Sequence, residues 1–256
     1  MIETLKNAWK IKDLRRKILF TLFIIVIFRV GMAIPVPFID QAKLIADAGN
    51  NEFLGAFSLL SGGGFEYGAI FAMGVTPYIN SSIILQLLCV AIPALERLSK
   101  EGEEGRKKIA QITRYTTIIL GLIQGFAYFI YLSRGGYLTV SSTGAKVFAG
   151  FVTVICLTAG SALVMWLGEQ IDDRGIGNGI SMLLFAGIIS RGPAAADAIK
   201  SYWKLGYKFA CIAIVIVFLI VIAFIVWMSD AERRIPIQYA KRVVGRKMYG
   251  GNNTHL

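Results

Sequence analysis

Apolar residues run along this chain in long uncharged blocks, set apart by short charged or glycine-rich segments. Nothing charged lies between Glu66 and Glu96, a run of 29 residues, where about 20 suffice to cross the hydrocarbon core of a bilayer. Uncharged runs also cover 19 residues from Tyr115 to Ser133, 22 from Val147 to Gly168 and 20 from Phe209 to Met228. A first span is predicted from about Ile18 to Ile34, ending at Pro35-Val36-Pro37. The fifth is the weakest, with 16 uncharged residues from Gly175 to Ser190, and is expected to continue past Arg191 or to tilt behind its neighbours. Six spans put both ends of the chain on one side.

The second block is broken. A short apolar piece, Phe53-Leu54-Gly55-Ala56-Phe57-Ser58-Leu59-Leu60, stops at Ser61-Gly62-Gly63-Gly64, and a long hydrophobic helix resumes after Glu66, interrupted from Gly74 to Tyr78. Irregular backbone at membrane depth persists only inside protein or beside a water-filled cavity. A broken element of this kind therefore points to a pathway or a binding site. The alternative is a surface loop with a short interfacial helix.

The hydrophilic segments fall into place around the spans. Residues 35–52 and Arg191 to Lys208 are expected as outside loops, 93–114 and the turn 169–179 as inside ones, and 229–256 as a polar, basic tail. Of the 27 basic residues, nineteen lie in 1–17, 93–114, 169–179 and 229–256. By the bias of Lys and Arg toward cytoplasmic segments, both termini are cytoplasmic. Arg29 sits deep in the first span, a costly place unless it snorkels to the far interface or faces the bundle interior. Snorkelling is the simpler expectation.

Composition agrees: 55% hydrophobic, 17% charged, with a mean hydropathy of +0.62, against about 25% charged in soluble proteins. The fold class is an all-α polytopic membrane protein. The net charge of +11 follows from the sidedness of Lys and Arg rather than from a nucleic-acid surface. Cys89, Cys156 and Cys211 each lie inside an apolar run, which suits neither a disulfide framework nor a metal site. The first span lacks a small-residue cleavage site and reads as mature, not as a removable signal.

Catalytic and nucleotide chemistry find little footing. Gly175-Ile176-Gly177-Asn178-Gly179 lacks the G-x-G-x-x-G spacing and follows a membrane span where a dinucleotide fold needs a strand. Ser61 to Gly64 lacks the Lys-Ser/Thr of a phosphate loop. His255 is the only histidine, and no carboxylate pair lies within a span, so proton relays have no candidates. The acidic residues of 96–104 and 169–173 read as solvated faces. An enzyme is not expected, nor a cofactor or metal.

Two features stay open on residue chemistry alone. Arg233, Arg234, Lys241, Arg242, Arg246 and Lys247, with Tyr239 and Tyr249 interleaved, suit either an anchor on anionic lipid or docking to RNA or an acidic protein face. Val75, Ile79 and Leu87 repeat at spacings of four and eight, with Asn80, Ser81, Ser82 and Gln86 among them. They suit a hydrophobic constriction that closes by dewetting, or ordinary helix packing in which small polar residues allow close approach. Packing is the simpler of the two.

Three motifs then bear a resemblance. Gly74-Val75-Thr76-Pro77-Tyr78-Ile79-Asn80-Ser81-Ser82-Ile83 resembles the second-span signature of the SecY family, the central subunits of bacterial protein-conducting channels. Trp166-Leu167-Gly168-Glu169-Gln170 with Arg174-Gly175-Ile176-Gly177-Asn178-Gly179-Ile180-Ser181 is similar to the signature after its fourth span. Tyr239-Ala240-Lys241-Arg242 with Thr254-His255-Leu256 looks like its loop between spans six and seven.

The resemblance implies a bundle of ten helices in two inverted halves around an hourglass pore, with four spans beyond those seen here. The remainder would lie on a longer form of the chain or on a separate one, and this part alone is not expected to form a sealed channel. By position, the half-helix from Phe53 to about Gly64 looks like the plug, with Phe53, Leu54, Phe57, Leu59 and Leu60 as its apolar body and Gly62, Gly63 and Gly64 as the glycines on which it swings. Val75, Ile79 and Leu184 occupy the apolar pore ring, Val75 and Leu184 departing from the isoleucine the family favours. The implied division is a cytoplasmic segment 1–17, a first channel half 18–191, an outside loop and sixth span 192–228, and a docking loop 229–256. The implied partners are the small membrane subunits SecE and SecG, the SecA motor ATPase or the ribosome, a secretory polypeptide and the lipid bilayer. That shifts Arg233 to Lys247 toward partner docking. A solute transporter and a membrane scaffold docking a cytoplasmic partner are the rival readings; the first would need an intramembrane ionisable group, and only Arg29 is on offer.

Overall fold

The computed structural model describes residues 9–48, 61–232, 236–237, 242–244, 247–249 and 254–255. The chain divides into two units, Met1–Ala194 and Ala195–Leu256.

The first unit is a helical bundle. Helix α1 (Lys12–Ala33) is followed by a short α2 (Gln41–Ala48), a single turn α3 (Gly64–Tyr67), and α4 (Thr76–Ala91). Helices α5 (Pro93–Lys100), α6 (Glu103–Arg134), α7 (Thr143–Arg174) and α8 (Gly179–Ile189) complete it. Pro93 ends α4: the residue before a proline is driven out of the helical region, and Ile92 takes φ −109° and ψ 114°. Helix α5 leaves at 103° to α4.

Helices α6 and α7 have 32 residues each, so each is about 48 Å long at 1.5 Å per residue and overshoots a bilayer core. They pack through small residues, which let backbones approach closely in lipid. Thr113, Thr117, Gly121 and Gly125 recur every fourth position on α6, all buried, and a Cβ at Gly121 would lie 3.1 Å from Ser161 Oγ on α7. Ser81 on α4 is fully buried and donates to Thr113 O at 2.9 Å, tying α4 to the same face.

Three segments expected as loops are helical. Helix α2 lies within 35–52, α5 and the first turns of α6 within 93–114, and α9 (Gly192–Lys204) within the second outside segment. Helix α8 alone has 11 residues, about 17 Å and too short to cross. After a turn at Ser190–Arg191 the chain is helical again to Lys204, so the fifth span does continue past Arg191. Among the described residues, four helical stretches are long and apolar enough to cross a membrane, α6, α7, α8 with α9, and α10 (Lys208–Ser229), or five if α4 and α5 are one broken span. Helix α1 matches them in length but carries Arg16, Lys17 and Arg29.

In the second unit α9 folds back on α10 through Gly206, which holds φ 95°, and the Cys211 thiol donates to Ile199 O at 3.6 Å. Only Cys211 of α10 is buried; the rest is an apolar cylinder open to lipid or to other protein. Beyond it the chain forms two small antiparallel ladders, β1 (Pro236–Ile237) with β4 (Thr254–His255) and β2 (Arg242–Val244) with β3 (Lys247–Tyr249). Among the described residues, the stretches long and apolar enough to cross a membrane are helical, and the ladders lie in the tail.

At the end of α1 the connecting segments knit together. Asp40 N donates to Tyr137 O at 2.7 Å and Thr139 N to Phe38 O at 3.0 Å. The Tyr137 hydroxyl donates to Asp47 Oδ2 at 3.1 Å, and its ring lies in the apolar cluster with Val36, Leu44 and Leu132. Burial, then its contacts with Tyr131 and Asp47, push the Tyr137 phenol up to about 12. A folded value above the unfolded one means stability fully present below pH about 10, lost as pH rises toward 12. Ultraviolet titration of the solubilised protein should show a late phenolate step that Tyr137→Phe removes; an unaltered curve would refute the assignment.

Candidate functional site

The break in the second block is ordered backbone, buried almost throughout from Ser61 to Val75. Gly62, Gly63, Gly68 and Gly74 all hold positive φ, which costs little only for glycine. Backbone groups along this irregular stretch find partners within the protein, as membrane depth requires. Ala69 N donates to Gly64 O at 3.0 Å, Ala72 N to Ala69 O at 3.0 Å and Gly74 N to Phe71 O at 2.8 Å. Ile70 N reaches Ile34 O at 2.9 Å and Val36 N reaches Gly68 O at 2.9 Å, so the segment after α1 serves as a partial strand partner. Close packing, as well as free rotation, dictates the glycines: a Cβ at Gly64 would sit 2.7 Å from Met32 Sδ and 2.9 Å from Ala72 Cα.

This stretch delivers Val75 to the start of α4, with Pro77 in the first turn where its missing N–H costs nothing. Ile79 N donates to Val75 O at 3.0 Å, so the two side chains lie a turn apart. Helix α8 brings Leu184 against the same apolar cluster as Ile79. Val75 belongs to that cluster, with Ile24 and Phe28 of α1 and Val164, Leu167 and Ile171 of α7, and Ile79 and Leu184 each pack against it. Val75 is buried at 4% exposure, and Ile79 and Leu184 are half-buried. Leu87, grouped with Val75 and Ile79 by spacing, is 67% exposed and outside the cluster.

Ile79 borders a recess of about 220 Å³ lined by Tyr78, Ser82, Ile83, Asp172, Asn178 and Ile180. The wall opposite α4 is built by the Gly-rich turn between α7 and α8. Asp172 Oδ1 accepts from Gly179 N at 2.7 Å, and Asn178 Oδ1 caps α8 by accepting from Ser181 N at 2.9 Å. Thr21 of α1 holds the turn through Ile176 N at 3.1 Å. A Cβ at Gly179 would strike the backbone carbonyl of Gly168, so only glycine lets α7 and α8 meet there. A recess of this volume, with a carboxylate, an amide and a hydroxyl on its walls, has room for several waters. Ile79 thus has this recess on one side and the apolar cluster on the other.

Two sequence expectations need correction. Arg29 does not snorkel clear of the protein: its Nη1 donates to Gly62 O at 3.4 Å, satisfying a carbonyl that the left-handed turn leaves without a helical partner. Glu169 and Asp172 are more than a solvated face. Glu169 Oε1 accepts from Arg114 Nε at 2.7 Å across α6 and α7, and Asp172 fixes the Gly-rich turn. The recess-lining roles of Tyr78, Ser82, Asp172 and Asn178 were not foreseen. The signal within reach was Asn178 three residues before Ser181, an N-cap pattern for α8. The solvated reading stands for Glu96, which pairs with Lys100 at 2.6 Å on an exposed helix.

Other candidates fall elsewhere. Phe53, Leu54, Phe57, Leu59 and Leu60 lie outside the described residues, as do Arg233, Arg234, Lys241 and Arg246. Arg242 pairs with Tyr249, and Lys247 with Val244, in the β2–β3 ladder.

Comparison with known proteins bears on this arrangement. The SecY family model matches residues 69–256. A protein translocase subunit SecY from Streptomyces coelicolor is 43% identical over 270 residues, covering 100% of this chain and 61% of that protein. That from Mycobacterium tuberculosis is 43% identical over 267 residues, covering 100% and 60%. The chain thus spans about three fifths of the length of these curated relatives. Among solved structures, one described as a protein conducting channel superposes with a TM-score of 0.59 at 19% identity, over 94% of this chain and 52% of that one. Sec61 in a canine ribosome–channel complex from the endoplasmic reticulum gives 0.59 at 20% identity, over 87% and 49%. At that identity the likeness is one of fold.

Proposed function

Since the chain belongs to the SecY family and is a multi-pass membrane protein, we propose that it forms part of a protein-conducting channel. The channel carries unfolded secretory polypeptides across the bacterial cytoplasmic membrane and releases apolar segments sideways into lipid. Val75, Ile79 and Leu184 contribute to the ring that seals it. Residues 53–64 are the plug, with Phe53, Leu54, Phe57, Leu59 and Leu60 as its body. The tail from Arg233 to Lys247 docks a cytoplasmic partner, the SecA motor or the ribosome, and SecE and SecG complete the membrane assembly. The chain is not an enzyme; the energy comes from the docked partner.

One observation supports the reading: Val75 lies in an apolar cluster against which Ile79 and, from a distant part of the sequence, Leu184 both pack, with Ile79 at the edge of a polar recess. Methyl groups offer a passing chain neither a fixed charge nor a hydrogen bond. They close by excluding water and part for any sequence pushed through. The recess opens at the end of α7 and the start of α8, the face to which the Lys and Arg bias assigns the cytoplasm. A polypeptide entering there meets polar walls first and the seal second.

The test is photocrosslinking from position 79 in the complete channel, with a stalled secretory precursor present. Adducts to the precursor, absent without it, are expected. Their absence, alongside adducts from position 242 to SecA or ribosome, would leave docking as the surviving role.

A further inference from the structure

The root of the broken element carries charges that sealing and conduction do not employ. A Cβ at Gly62 would lie 2.8 Å from Gly187 Cα and 3.1 Å from Arg29 Nη1, so the backbone here is threaded between α8 and the guanidinium of α1. Just beyond it, Glu66 Oε1 lies 2.5 Å from Arg191 Nη2 in the turn after α8. The two side chains are only 19% and 25% exposed. Charges from α1, α3 and the end of α8 therefore converge on one short segment.

Hydrophobic residues of similar size could fill this space without the cost of taking two ions from water. The backbone already has its own fastenings, through Ile34, Val36 and Gly68. What a charge-assisted contact adds is directionality and an abrupt loss once its partners separate.

We propose that Glu66 and Arg191, backed by Arg29 on the Gly62 carbonyl, form a latch that holds the root of the plug against α8 and is released when the channel opens. The proposal rests on the reading of 53–64 as the plug. Helix α8 supplies the linkage. Leu184 of the ring, Gly187 against the hinge and Arg191 of the latch follow one another at helical spacings of three and four. A displacement of α8 that parts the ring draws Gly187 from Gly62 and Arg191 from Glu66 in the same motion. Seal and plug release together because one helix carries both contacts.

The experiment uses the complete channel in planar bilayers. Glu66→Gln and Arg191→Gln should each raise the resting conductance about fivefold, the factor expected from losing a partly buried pair. The exchanged pair, Glu66→Arg with Arg191→Glu, should return it to the starting value, which a merely structural role would not do. Deletion of residues 53–60 serves as the reference. If the deletion raises conductance and the single variants do not, the latch is overturned and the plug stands. If the exchange fails to restore the seal, the pairing is overturned. If the deletion changes nothing, the plug reading fails and takes the latch with it. Joining Glu66→Cys to Arg191→Cys with a short thiol reagent, in a background without the native cysteines, is the second measurement. It should block precursor transport, and transport through the joined channel would refute the latch.

Discussion

Ile79→Asp in the complete channel is expected to raise the resting ion conductance about tenfold, through wetting of the constriction. Ile79 has water-accessible space on one side and the apolar cluster on the other. A carboxylate placed in a dry apolar zone costs about 2.5–3.5 kcal/mol on insertion scales, and drawing water in relieves that cost. Each 1.4 kcal/mol is a factor of ten in an equilibrium, so the wetted state gains at least an order of magnitude. Ile79→Leu keeps the methyl surface and should leave conductance near its starting value, separating charge from shape. Unchanged conductance in the aspartate variant would remove Ile79 from the seal. Equal leak in both variants would point to packing damage instead.

The second large effect concerns α7. Gly160 lies where a Cβ would run into the backbone carbonyl of Ile70, and a carbonyl within a knitted turn cannot swing aside as a long side chain can. Ile70 N is itself bonded to Ile34 O, so displacing this residue loosens the stretch that delivers Val75 to the start of α4. Gly160→Ala should cost about 1–3 kcal/mol, the usual range for overpacking a core, and lower the thermal transition in detergent by several degrees. Gly144, near the start of the same helix, has nothing within 4 Å of its Cβ position. Gly144→Ala should be neutral or stabilising by up to about 1 kcal/mol, since alanine is the better helix former. If the two behave alike, contact with Ile70 is not what sets the requirement for glycine.

Helices α6, α7 and α10 were legible because a bilayer imposes a length and an absence of charge that single residues reveal. The helices inside expected loops were less so. Helices α2, α5 and α9 carry charged faces, and charge marks a segment as outside the hydrocarbon without saying whether it is coiled or helical. Arg29 was misjudged for a related reason. Sequence prices a charge by its depth, while the structure answers with a specific carbonyl, that of Gly62, 33 residues further on. The grouping of Val75 with Ile79 was visible in spacing, since they are a turn apart on one helix, though spacing alone favoured packing over a constriction. Leu184 came only with the resemblance, because spacing cannot join α4 to α8.

What the sequence determined by itself is the block pattern: which stretches are long and apolar enough for a bilayer, where the second one breaks, and which segments carry the basic residues. Those properties follow from the solvent, which acts on each segment separately. Tertiary structure alone decided how the break is held. Irregular backbone from Ser61 to Val75 is tolerable only because α1, α7 and α8 bury it and Ile34 and Val36 satisfy its polar groups. The recess beside Ile79, the Arg114–Glu169 and Glu66–Arg191 pairs and the glycine contacts at Gly160 and Gly179 each join segments that meet only after the helices pack. Hydrophobicity tells a segment to leave water; only packing against a particular neighbour tells it where to stop.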